Sequence, residues 1–254
     1  MRVLAPLRRL AQDRTGVAMV ELAFAAPLLL ILGLGGIEAA NYAVASLRVS
    51  QIAMTVADNA GRVRTAMDEN DINDIMSGAK LIGSGIDFTA NGRVILSDLE
   101  QRTTTAGSGG VGTKTTANPN GYRQFIRWQR CAGDLEIQSG YGKPLNAAGT
   151  AVTNLDDATN ADHGAVETAS TLDQMGSTTN PISAATGTAV MFVEVTYVYQ
   201  PVTTFGLLDG EVIRMNQAFN VRERIENSVT NLSKLSGNKR SDCRLFDPAV
   251  PVLN

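Results

Sequence analysis

The feature that most constrains this chain is the run from Thr15 to Ile37. Arg8, Arg9 and Arg14 precede it, and Val17 to Ile37 is 21 residues with a single charge, Glu21. At about 1.5 Å per residue, a helix of that length matches the roughly 30 Å hydrocarbon thickness of a bilayer. The run is a candidate membrane-spanning helix, and the chain beyond Ile37 reads as an exported domain. Its one carboxylate is the anomaly. A charge near the end of an apolar helix costs up to a few kcal/mol to insert, so a partner is expected. Glu21 is the fifth residue after Gly16. A cut between Gly16 and Val17 would create an α-amine of pKa about 8 at Val17, a cation able to pair with the Glu21 carboxylate of a neighbouring copy. Cleavage would then supply the charge that makes Glu21 tolerable, and would favour helices stacked with a stagger.

A basic leader, a Gly, a Glu at the fifth position after it and an apolar helix together resemble the type IV prepilin processing site. The fuller run from Asp13 to Leu30, with its GVAxVExAFxxPLLL pattern, resembles the TadE/TadG-like pseudopilins of tight-adherence (Flp) pilus systems. Gly-x4-Glu alone recurs by chance in alanine-rich sequence. Before a 16-residue uncharged run, Leu22 to Ile37, and after three arginines, it is specific. The resemblance implies that a prepilin peptidase cuts after Gly16, with Arg14 and Gly16 carrying recognition. It implies that the Val17 amine and Glu21 guide entry into, or priming of, the pilus. The partners it implies are that peptidase, other pilins and pseudopilins, the inner-membrane assembly platform and the membrane itself. The strand Val193 to Pro201, the segment Phe219 to Arg224 and the two cysteine contexts, 128–133 and 241–244, are also similar to TadE-like proteins. TadG-type relatives can carry a von Willebrand A-like domain with a D-x-S-x-S motif. This chain has none, so the TadE-like reading is preferred.

Two other readings of the same run stay open. Ala43-Val44-Ala45 fits a signal-peptidase site, although the apolar run exceeds a 7–15-residue signal core, and Glu38 and Asn41 intervene. An uncleaved signal anchor would instead present a periplasmic or surface adhesin-like binding module, which needs neither Glu21 nor a cut after Gly16. In each anchored case Arg2, Arg8, Arg9 and Arg14 hold the N-terminal side in the cytoplasm and place the C-terminal domain in the periplasm. Pro27 removes one helical donor and should kink the helix.

The rest of the 254-residue chain reads as one α+β domain. The division expected is a prepilin-type leader 1–16, a membrane helix 17–37, its extension 38–65 and an extracytoplasmic domain 66–254 with flexible loops 103–121 and 140–188. Ala45, Val49, Ile52, Val56, Ala60 and Val63 make an apolar stripe on the extension, for packing on its own domain or on neighbouring pilin helices. Asp71 to Ile82 reads as an amphipathic helix capped by Asp71 and stopped by Gly83 and Gly85. Strands are expected at Val94 to Leu99, Tyr122 to Cys131, Val190 to Val202 and Glu211 to Val221. In the third, Met191, Val193, Val195, Tyr197 and Tyr199 form one buried face. Leu207 to Gly210 carries an Asp-Gly turn signal, and the last two strands should pair as an antiparallel hairpin on the long helix. Cys131 and Cys243, in an oxidising compartment, are an even count consistent with one disulfide, or with two unrelated buried thiols.

Composition excludes other classes. Net charge is −3, and loss of residues 1–16 would leave about −6. No basic patch suits nucleic acid. G-x-S-x-G, H-E-x-x-H, a phosphate-cradling loop and Cys/His metal spacing are all missing, so no enzyme, cofactor or metal is expected. Asp156, Asp157, Asp162 and Glu167 lack the calcium-loop spacing. His163, the one histidine, sits among them in a solvated loop.

Overall fold

The computed structural model describes residues 15–101, 124–144, 155, 175–177, 179–185, 187–203 and 208–246. Arg14, the 103–121 loop, Tyr122, the Asp156–Glu167 cluster with His163, and Leu207 lie outside them. The chain forms two compact units: Met1–Val44 with Pro201–Asp209, and Ala45–Gln200 with Gly210–Asn254. Helix and antiparallel sheet are both present, an α+β architecture.

Helix α1 spans Thr15–Arg62. In the second unit its inward face is Ala45, Val49, Ile52, Ala53, Val56, Ala57 and Ala60, each buried. The predicted stripe is that face, except that Val63 falls beyond the helix end. Burying Val49, Ile52 and Val56 stabilises by about 1.5–3 kcal/mol apiece. The last turn is closed by the chain that returns from the sheet. The Arg224 guanidinium donates to the Ala60 carbonyl at 2.5 Å and the Val63 carbonyl at 3.0 Å, and the Arg222 amide donates to Gly61 at 3.2 Å. These carbonyls belong to, or directly follow, the end of the helix, where intrahelical donors run out and a cation is favoured. Gly61 has no side chain because a Cβ there would sit 3.3 Å from Phe219 Cβ.

Strand β1 (Met67–Asp68) leads into α2 (Glu69–Gly83). The helix starts two residues earlier than the sequence suggests. Asp68 is the N-cap, and Asp71 lies in the first turn with its carboxylate accepting the Asp68 amide at 2.9 Å. Such reciprocal capping needs an acceptor three residues in, which is where Asp71 stands. Gly83 is the last residue of α2, and packing explains it better than termination: an added Cβ would meet Phe88 Cβ at 2.3 Å. A short 3-10 turn (Ser84–Ile86) and α3 (Phe88–Asn91) come next, joined through Asp87 at φ 51°.

Four strands make the main sheet: β2 (Gly92–Gln101), β3 (Gln124–Ala132), β6 (Ala189–Val198) and β7 (Val212–Asn220). Their order is β3-β2-β6-β7, antiparallel throughout. The expected β6–β7 pairing is present, with Met191 opposite Phe219, Val195 opposite Met215 and Tyr197 opposite Ile213. Burial on β6 departs from the expected alternation, because Val190 and Phe192 are buried as well. Part of the 140–188 stretch, expected to be a flexible loop, instead covers that second face. Strands β4 (Met175–Gly176) and β5 (Pro181–Ile182) pair, and Met175 and Ala184 pack with Leu99, Ile126, Val190 and Phe192. The Gln124 side chain ties this cover down, accepting the Ala184 amide at 2.7 Å and donating to its carbonyl at 3.2 Å.

A buried ion pair and a buried carboxyl pack with the main sheet. Arg130 of β3 pairs bidentately with Glu69 of α2, at 2.5 and 3.0 Å, with both side chains under a tenth exposed. Removing one partner of such a pair costs about 3–5 kcal/mol. Asp98 of β2 is fully buried. Burial, and then Glu100, hold its carboxyl well above the usual carboxylate range, while Arg224, Arg127 and the Trp128 indole pull the other way. Strand β8 (Val229–Thr230) lies parallel to β1, and the chain then returns to bond Cys243 to Cys131, 112 positions apart. Cys131 also donates its amide to the Ser241 carbonyl at 2.8 Å.

Both the buried carboxyl and the disulfide have measurable consequences. Asp98 has a folded pKa above its unfolded value of about 3.9, so its neutral form favours the fold. That contribution is complete below about pH 4 and is lost as pH rises through the folded pKa. Denaturant titrations should show Asp98→Asn gaining on the parent between pH 4 and 8; a pH-independent difference would contradict this. Replacing both Cys131 and Cys243 by Ser should lower stability by about 2–5 kcal/mol, read from urea midpoints under oxidising conditions.

Candidate functional site

The first unit is built on the apolar half of α1. Val17, Met19, Val20, Leu22, Phe24, Leu28 to Leu32 and Ile37 are each more than half exposed. An apolar surface uncovered on all sides is stable where lipid or another helix surrounds it, and is costly in water. Among the described residues this is the one helix long and apolar enough to cross a membrane. Gly16 and Val17 lie in its first turn, where amides lack intrahelical acceptors. Gly16 and Val17 are both exposed, and among the described residues nothing lies within 4 Å of where a Gly16 Cβ would be.

Glu21 is exposed and has no ion-pair partner among the described residues. It stands four residues after Val17, hence on the same helical face. Pro27 lies inside the continuous helix. Its missing N–H leaves the Ala23 carbonyl without its usual donor.

Residues 16–58 match the family model of TadE-like protein. No curated protein and no solved structure matches the chain. The TadE-like segment takes in the Gly16–Val17 junction, Glu21, the whole apolar run and most of the packed face beyond it. It points to a Tad-pilus-associated protein, with one apolar helix consistent with a single-pass membrane anchor. Residues 59–254 lie outside the matched segment.

Of the site residues read from sequence, Gly16, Val17 and Glu21 fall on one exposed helical end, and Cys131 and Cys243 are joined. Sequence reasoning missed the role of Glu38. Its side chain is 2% exposed, one residue past the apolar run, and it accepts both the amide (2.9 Å) and hydroxyl (2.8 Å) of Thr203. Glu38 thus fastens the β6–β7 connection to the TadE-like helix. Between Leu22 and Leu47 it is the only charged residue, which was the available signal.

Two donors of Thr203 converge on this one buried carboxyl. Glu38→Ala should ease local opening at Thr203 by about 1–3 kcal/mol, read as faster hydrogen exchange of that amide. Unchanged exchange would show that the connection is held by other contacts.

Proposed function

We propose that this chain is a minor pseudopilin, a non-enzymatic assembly subunit of a tight-adherence (Flp) pilus. A prepilin peptidase cuts after Gly16, and the freed Val17 amine pairs with Glu21 as the helix enters or primes the filament. The observation that carries this reading is an exposed apolar run, Val17 to Ile37, whose single carboxylate, Glu21, lies one turn after the exposed Gly16 and Val17. The match of that segment to TadE-like protein supports it. So do Leu47 and Met54, exposed on the outward side of α1 while the opposite side is packed. They extend a surface suited to other pilin helices beyond the membrane span. In this reading the N-terminal side is cytoplasmic and the sheet domain periplasmic. The peptidase, neighbouring pilins and the inner-membrane assembly platform are its partners.

The test is the N-terminal residue of the protein isolated from its native membranes. Val17, replaced by the uncut form when the peptidase is absent, is the expected result. A chain starting at Met1 or Ser46 would favour the anchored or secreted binding module. Glu21→Val should give an inserted, folded protein that no longer supports pilus assembly, scored by piliation in a complemented deletion strain. Normal piliation would remove the role given to Glu21.

A further inference from the structure

The connection from β6 to β7 belongs with the apolar helix and not with the sheet: Pro201–Asp209 groups with Met1–Val44 in the first unit. Its fixed point is Glu38, whose buried carboxyl accepts the amide and the hydroxyl of Thr203 at 2.9 and 2.8 Å. Glu38 directly follows Ile37, the last residue of the apolar run. At about 1.5 Å of rise per residue, this tether lies within one turn of the point where the run stops. The covered side of the helix extends into the run itself. Leu34, four residues before Glu38 and on its face, is half-buried, whereas residues 28–32 are exposed.

The composition of the connection is wrong for water. Residues 201–208 carry no charge and include Val, Phe and two Leu, where surface connections are ordinarily polar. Val202, next to the tethered threonine, is 68% exposed. An apolar side chain held out beside a fixed point is costly in water and stable against hydrocarbon. With the run 17–37 in the hydrocarbon, Glu38 and Thr203 stand in the headgroup layer, which adds roughly 5–8 Å on each side. A carboxyl there needs donors in place of water, and Thr203 supplies two. We propose that Val202 is a second membrane contact, inserted among phospholipids at the Ile37 end of α1 and held at that depth by the Glu38–Thr203 hydrogen bonds. Phospholipid is the occupant because Val202 shares a unit with the apolar run, beside its end, and continues the surface that the run presents. Two contacts, where a lone helix gives one, fix the rotation of α1 about its own axis. The inference rests on the membrane-anchor reading of α1 and not on cleavage after Gly16.

Both native cysteines are paired, so one added thiol gives one labelling site. Val202→Cys, Leu30→Cys and Leu232→Cys each carry an environment-sensitive fluorophore in the full chain, reconstituted in vesicles of phosphatidylcholine and phosphatidylglycerol. Quenching is read with nitroxide lipids, labelled at the headgroup or at mid-chain, and with iodide on both sides of the membrane. Leu30, exposed within the apolar run, reports the anchor, and Leu232, exposed in the second unit, reports water. The Val202 label should lose most of its emission to headgroup nitroxide and be shielded from iodide, with the Leu232 label showing the reverse. Adding Glu38→Ala should open the Val202 label to iodide while the Leu30 and Leu232 signals stay as they were. A Val202 label open to iodide, beside a Leu30 label quenched at mid-chain, overturns the contact and leaves the anchor standing. An unquenched Leu30 label removes the anchor, and the contact with it. A Val202 label shielded from lipid and iodide alike is covered by protein, which also overturns the proposal. An unmoved Val202 signal in Glu38→Ala overturns the tether.

Discussion

The inward face of α1 between Ala45 and Ala60 is the surface on which the second unit is assembled. Small residues alternate with branched ones along it, so other elements can approach closely and still bury apolar area. Gly61 shows how close the approach is, since β7 passes within 3.3 Å of where its side chain would start. The helix end depends on the same returning chain. Arg222 and Arg224, just after β7, supply the donors that its last carbonyls need. The earlier part of the helix leaves its apolar side chains exposed all round, and the later part buries one face of them.

The sheet is covered on both faces, and this changes the character of its strands. β6 carries buried residues on nearly every position, a pattern more usual in sheets covered on both sides than in a half-solvated hairpin. The second cover comes from the short β4–β5 pair and Ala184. The disulfide ties the C-terminal stretch to β3 on the same domain. Some buried charge sits where chain segments far apart in sequence meet. Glu69 with Arg130, and Arg93 beside Cys243, are such meetings.

Elements with a strong periodic signal are legible in the sequence. The apolar stripe of α1 emerges as its packed face, and the β6–β7 partnership and the joining of Cys131 to Cys243 are both present. Legibility fails where a residue's role depends on something distant. Asp71 reads as a cap because it precedes an apolar run, yet the helix begins at Glu69 and uses Asp71 from within its first turn. Gly83 reads as a terminator, yet its constraint is the Phe88 ring packed against it. Alternation along β6 identifies two faces but cannot tell that a second layer covers Val190 and Phe192.

By itself the sequence determined the local quantities: a span of apolar residues long enough for a bilayer, one carboxylate four residues after Val17, and the repeat periods of helix and strand. Those depend on neighbours within a few positions along the chain. Only the tertiary structure decided that Glu38 holds Thr203, that Arg224 caps α1, and that Arg130 meets Glu69. Each joins groups separated by tens to more than a hundred residues. Spacing along a chain carries no record of such meetings; they are set by which surfaces exclude water together when the chain closes on itself.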